Sequence, residues 1–173
     1  MALHWTPNAS NTFRFVMVDA NDDEVTGLGA AGLTVQLLKY NASSFSVFGG
    51  SKNEVGNGWY TGVADVGDSD TRGELGIKVT GSGAKQQNLV YQVGDPREGF
   101  GATAHTINVV VGGNPVDGAE VWLTLDIAGN DLVAGTLTTN AQGNVTFYLD
   151  GGTYYVWIQH GDHNFTNPTT ITI

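Results

Sequence analysis

Val145-Thr146-Phe147-Tyr148-Leu149 and Tyr154-Tyr155-Val156-Trp157-Ile158 are two alternating runs separated by a segment that holds Gly151 and Gly152. Successive side chains of a strand point to opposite faces, so a period of two predicts strands. In the second run, alternation sends Tyr154, Val156 and Ile158 to one face and Tyr155 and Trp157 to the other. One set belongs to a core, and the other is free to meet a partner.

The same period recurs outward in both directions, and helical periodicity is almost absent. Leu137-Thr138-Thr139, Val121-Trp122-Leu123-Thr124-Leu125 and Thr106-Ile107-Asn108-Val109-Val110-Val111 precede these runs, and Thr169-Thr170-Ile171-Thr172-Ile173 follows them. Further upstream stand Phe13-Arg14-Phe15-Val16-Met17-Val18, Leu33-Thr34-Val35-Gln36-Leu37-Leu38, Gly58-Trp59-Tyr60-Thr61-Gly62-Val63, Leu75-Gly76-Ile77-Lys78-Val79 and Leu89-Val90-Tyr91-Gln92-Val93. The 25 glycines of the 173 residues have no Gly-X-Y period, so they mark the turns between short strands. Gly94-Asp95-Pro96-Arg97-Glu98-Gly99-Phe100-Gly101 interrupts the alternation with Pro, Gly and charge. The expected organisation is all-β, with two Ig-like β-sandwich domains in tandem: residues 1–97, a linker at 98–102, and residues 103–173.

The halves echo each other. Gly32-Leu33-Thr34-Val35-Gln36-Leu37 and Gly118-Ala119-Glu120-Val121-Trp122-Leu123 share G-x-x-V-x-L, and Gly56-Asn57-Gly58-Trp59-Tyr60 parallels Gly143-Asn144-Val145-Thr146-Phe147-Tyr148. Two copies are too few for a solenoid and fit two related sandwiches.

Asn114-Pro115-Val116-Asp117-Gly118-Ala119-Glu120-Val121, Thr138-Thr139-Asn140-Ala141-Gln142-Gly143-Asn144-Val145 and Leu149-Asp150-Gly151-Gly152-Thr153-Tyr154-Tyr155-Val156 together resemble the transthyretin-like, or carboxypeptidase-regulatory-like, β-sandwich. Asn140 stands where that family usually has Asp. Glu54-Val55-Gly56-Asn57-Gly58-Trp59-Tyr60 and Asp68-Ser69-Asp70-Thr71-Arg72-Gly73-Glu74-Leu75 resemble an Ig-like module common in tailed-phage structural proteins. These resemblances imply an accessory virion protein (a capsid decoration, collar or tail-associated component) present in many copies on a symmetric assembly. Its partners would be the major capsid or tail proteins of the same virion.

Composition narrows the alternatives. The net charge is −10; the first 97 residues carry all seven cations against ten acids, and the rest carries seven acids and no Lys or Arg. A segment without cations has no clamp for phosphates, so nucleic acid is not an expected partner. There is no Cys, and therefore no disulfide or thiolate site. No apolar run approaches the roughly 18 residues of a membrane helix. Met1-Ala2-Leu3-His4-Trp5-Thr6-Pro7 lacks the basic start and apolar run of a signal peptide, which points to synthesis in the host cytoplasm; the place on the virion is what the resemblance implies.

Catalytic constellations are missing. Gly49-Gly50-Ser51-Lys52 does not make a nucleophile elbow. Gly27-Leu28-Gly29-Ala30-Ala31-Gly32 has the letters of a phosphate loop but precedes a strand instead of opening a helix. Asp19-Ala20-Asn21-Asp22-Asp23 fails as a calcium loop, because Glu24 and Ala30 occupy the sixth and twelfth positions. His160-Gly161-Asp162-His163 holds two imidazoles and a carboxylate, read as a polar turn in preference to a metal site. Hence no catalytic, cofactor or metal residues are expected, and the chain is read as non-catalytic. The candidate surface-binding residues are Trp5, Trp59, Tyr155 and Trp157, with Trp5 also able to staple the N-terminus down. Exposed aromatics of this kind make a carbohydrate-binding or adhesin module, recognising cell-surface glycans, the rival reading.

Overall fold

A computed structural model describes residues 3–173; Met1 and Ala2, where the reading of the N-terminus begins, lie outside the described residues. The chain is all-β and divides into two compact units, the first ending at Val93 and the second being Gly94–Ile173. The first unit holds β1 (His4–Trp5), β2 (Thr12–Val16), β3 (Leu33–Leu38), β4 (Ser46–Val47), β5 (Ser51–Gly56), β6 (Trp59–Val63), β7 (Gly73–Gly81) and β8 (Gln87–Val93), with a 3-10 turn at Val66–Ser69. The second holds β9 (Thr103–Asn108), β10 (Val110–Val111), β11 (Asn114–Pro115), β12 (Glu120–Thr124), β13 (Leu132–Thr138), β14 (Asn144–Leu149), β15 (Thr153–Gln159) and β16 (Thr169–Thr172).

In the first unit, a five-stranded sheet ordered β1-β8-β7-β3-β4 accompanies a three-stranded sheet ordered β2-β6-β5. All pairings are antiparallel except β1 with β8, which is parallel and sets Trp5 beside Val93. This is the strand order of an Ig-like sandwich. Alternation fills its core: Phe13, Phe15 and Tyr60 come from the smaller sheet, and Leu33, Val35, Leu37, Leu75, Ile77 and Val79 from the larger one. Gly62 looks out of place within β6, but it lies directly opposite Phe13, whose ring occupies the space a Cβ would need.

The second unit repeats the plan. Its four-stranded sheet runs β13-β12-β15-β16, matching β4-β3-β7-β8, and β14 pairs with β9 as β6 pairs with β2. The sequence echoes fall on equivalent strands, G-x-x-V-x-L on β3 and β12 and the Gly-Asn motif at the head of β6 and β14. Val121, Leu123, Val145, Phe147, Leu149, Tyr154 and Val156 form the core. At the start of β15, the Tyr154 hydroxyl donates to the Asp150 carbonyl at 2.9 Å, which is the tyrosine corner of Ig-like folds.

The expected linker at residues 98–102 is built into the second unit, and the division falls earlier, between Val93 and Gly94. Gly135 N–H donates to Pro96 O at 3.1 Å, Tyr148 N–H to Glu98 O at 2.6 Å, and Gly101 N–H to Tyr148 O at 2.9 Å. The segment thereby takes the β14 edge away from β9, the place that β5 holds beside β6. Glycine serves close approach here: a Cβ on Gly99 would stand 2.5 Å from the Tyr148 carbonyl oxygen.

Candidate functional site

The acidic segment at residues 19–23 and the histidine segment at residues 160–163 form turns. Asp19 Oδ1 accepts the N–H groups of Asn21 at 2.7 Å and Asp23 at 3.1 Å, closing the acidic segment as a hairpin turn. In the glycine-rich loop, the Gly27 N–H is taken by the Glu54 carboxylate at 2.8 Å. His160 and His163 pair across a tight turn with ring centroids 5.1 Å apart, and His160 Nδ1 accepts the Asp162 N–H at 3.1 Å. Among the described residues, no group of three or more His, Cys, Asp or Glu could hold a metal ion. Nor, among the described residues, is any helix long and apolar enough to cross a membrane.

Two outward sheet faces carry the tryptophans that reach the surface. On the β2-β6-β5 sheet of the first unit, Trp59 is 48% exposed and sits directly opposite Val16. Arg14 lies opposite Thr61, one step along the same face and diagonal to Trp59, within reach of a long side chain. The register shifts between Glu54 and Gly56, leaving Val55 as the extra residue of a bulge and 67% exposed. Asn53 is opposite Thr61, so no acid stands in this row. Trp and Arg are residue types enriched in binding hot spots, and the exposed Val55 adds apolar surface beside them.

In the second unit, Trp122 and Trp157 face each other across β12 and β15, their rings nearly parallel (7°) with centroids 6.1 Å apart. Trp157 Nε1–H donates to Thr124 Oγ1 at 3.0 Å, and the Thr124 hydroxyl donates to Asp126 O at 2.7 Å. Asp126 in turn accepts the N–H groups of Ala128, Asn130 and Asp131. These bonds hold its carboxyl below the usual carboxylate range, that from Asp131 contributing most. The loop so formed brings Gly129 against the Trp157 ring, where a Cβ would come within 3.2 Å. Trp157 is thus held between the loop and Trp122. Trp122, Ile158, His160, His163, Asn164 and Phe165 line a groove of about 350 Å³. Asn167, also in its lining, accepts the Ile158 N–H at 2.9 Å and donates to Ile158 O at 2.6 Å, tying the returning segment to β15.

The four sequence candidates therefore have different fates. Trp59 is on the surface. Trp5 is not: at 2% exposure it packs against Tyr91 (5.2 Å) and Phe13 (5.8 Å), acting as the staple. The pairing of a two-residue strand with β8 is what buries it. Tyr155 and Trp157 do face outward, but both are half-buried. Trp122 is the indole that lines the groove, a role its place in an alternating run could not reveal.

No known protein family matches this chain, and no curated protein matches it. Among solved structures, the chain is similar to the D0-D1 domain of intimin, at 16% identity and a TM-score of 0.32, covering 95% of this chain and 90% of that one. It is also similar to the Ig1 and Ig2 domains of DIP-gamma, at 12% identity and a TM-score of 0.33, covering 99% and 91%. The Ig-like assignment rests on the strand order of each unit: the chain is all-β, with two Ig-like sandwiches in tandem.

Proposed function

We propose that this chain is a non-catalytic accessory protein of a phage virion, a capsid-decoration, collar or tail-associated component, that docks through its first unit and displays its second. The observation that carries the reading is the Arg14–Trp59–Val55 face: in a chain of net charge −10, it offers a cation and an exposed indole with no carboxylate in the row. The resemblance of residues 54–60 and 68–75 to phage Ig-like modules supplies the class of partner, a major capsid or tail protein. On a symmetric particle, many modest contacts suffice, because linked sites raise effective concentration.

The test is co-sedimentation with virions purified from the phage that encodes the chain. Wild type is expected in the particle fraction, and the Trp59→Ala/Arg14→Ala double variant, folded by its thermal transition, is expected to remain in the supernatant. Absence of the wild-type chain from particles, or unimpaired binding of the variant, would overturn the reading.

A second reading, glycan recognition by the second unit, is favoured by the groove beside Trp122. The two readings are compatible, since they use different units.

A further inference from the structure

We infer that the groove beside Trp122 is a binding site for neutral saccharides; this rests on the glycan reading and names its ligand class and its residues. A pyranose presents a patch of weakly positive C–H groups on one face and hydroxyls around its rim. It therefore calls for an aromatic face, whose π-cloud is negative, flanked by groups that donate and accept hydrogen bonds.

The groove has both. Trp157 backs Trp122 at an interplanar angle of 7°, and is itself anchored through Thr124, so the Trp122 indole is held in place before any ligand arrives. Phe165 and His163 also line the groove, and their rings meet edge to face at 6.4 Å. Gln159, His160 and Asn164 supply the polar rim. Because His160 Nδ1 accepts the Asp162 N–H, the neutral ring carries its proton on Nε2, leaving a donor for a hydroxyl. At about 350 Å³ the groove is at the small end of ligand sites, and its polar lining suits a sugar better than an apolar molecule.

Charge sets the class. From residue 98 onward the chain has no Lys or Arg, and Arg97 is bonded to Asp95 at 2.8 Å. On the other side of His160, a second depression is lined by Glu120. Sialylated, sulfated or uronic sugars would find no Lys or Arg in the groove lining to offset their charge, with the Glu120 carboxylate in the neighbouring depression. Hexose and N-acetylhexosamine oligosaccharides meet no such penalty.

The full chain is applied to an array of neutral hexose and N-acetylhexosamine oligosaccharides alongside sialylated and sulfated ones. Each ligand found is then titrated into 15N-labelled protein. Neutral glycans are expected to bind and to shift the Trp122 indole N–H while leaving that of Trp5 in place. Trp122→Ala should weaken binding about tenfold or more, the loss of a central aromatic contact, whereas Trp122→Phe, which keeps an aromatic face, should lose about threefold or less. Trp59→Ala should leave sugar binding unchanged, which separates a failure here from a failure of virion docking. An array with no neutral glycan bound, binding confined to anionic glycans, or unchanged affinity in Trp122→Ala would overturn the assignment.

Discussion

Gly143→Ala tests how closely the second unit is packed at the turn into β14. Gly143 has φ +72°, a left-handed conformation that costs an L-residue about 1–2 kcal/mol. A Cβ there would also stand 2.5 Å from the Val109 carbonyl oxygen, with Pro115 Cβ at 3.1 Å. Neither neighbour moves freely, because Val109 N–H donates to Gly143 O at 2.8 Å and Val109 O accepts the Val116 N–H at 3.0 Å. Relieving the clash separates these segments and sacrifices about two hydrogen bonds, each worth about 1 kcal/mol, for a total of about 3–4 kcal/mol. Gly118→Ala is the control: its φ is +73°, but nothing lies within 4 Å of the place its methyl would take, so only the backbone cost of about 1–2 kcal/mol applies. Any stiffening of the unfolded chain by alanine is common to both variants and cancels. Urea unfolding followed by the indole N–H signals of Trp122 and Trp157 reads the second unit, with Trp5 and Trp59 as the reference. Equal losses in the two variants, to within about 0.5 kcal/mol, would refute the steric argument.

Three more outcomes follow from buried or tightly bonded polar groups. Asp68, 6% exposed, accepts the N–H groups of Asp65, Gly49 and Gly50 at 2.9, 3.0 and 3.2 Å, so Asp68→Ala should destabilise the first unit by about 2–4 kcal/mol in the same assay, with the Trp5 indole as reporter. Tyr154→Phe should cost the second unit about 1 kcal/mol at pH 7 through loss of its bond to Asp150 O. Burial first, and the Asp150 charge second, raise the Tyr154 phenol above its ordinary value of 10.0; its stabilisation is therefore complete below that pH and is lost as pH climbs through the folded value. The Phe variant should show a smaller loss of stability between pH 7 and pH 11, measured as the shift in urea midpoint. For Asp126 the sign is opposite: its lowered pKa gives stabilisation above the usual carboxylate value of 3.8 that disappears as pH falls below it. Amide exchange at Ala128, Asn130 and Asp131, corrected for intrinsic rates, should accelerate on acidification in wild type, and Asp126→Asn should remove that dependence.

Strands whose alternation is apolar were legible in the sequence, and β3 has the bounds that its pattern predicts. β5 was not, because Ser51-Lys52-Asn53-Glu54-Val55-Gly56 places charged residues at the half-buried positions. Their heads explain this: Lys52 Nζ donates to Leu33 O at 3.0 Å, and Glu54 receives the Gly27 N–H. The glycines of residues 94–101 carry the composition of a linker, and nothing in composition distinguishes flexibility from close approach to β14. Asn140, a departure from the resembling family, is accounted for by geometry: its Oδ1 accepts the N–H groups of Gln142 and Asn144, each at 3.0 Å, a task that needs a carbonyl or carboxylate oxygen and no charge. At the candidate site, alternation gave the outward direction of Tyr155 and Trp157. It could not give the cross-strand register that sets Trp122 against Trp157, nor the return of residues 163–167 that forms the groove.

Hydrogen exchange of the chain bound to its virion, compared with the free chain, addresses the central claim of passive binding through an outward sheet face. Slowed exchange along β2, β6 and β5, with β12 and β15 unchanged, is the outcome the Arg14–Trp59 face requires. Protection concentrated in residues 103–173, with the β2-β6-β5 sheet exchanging as in the free chain, would contradict it.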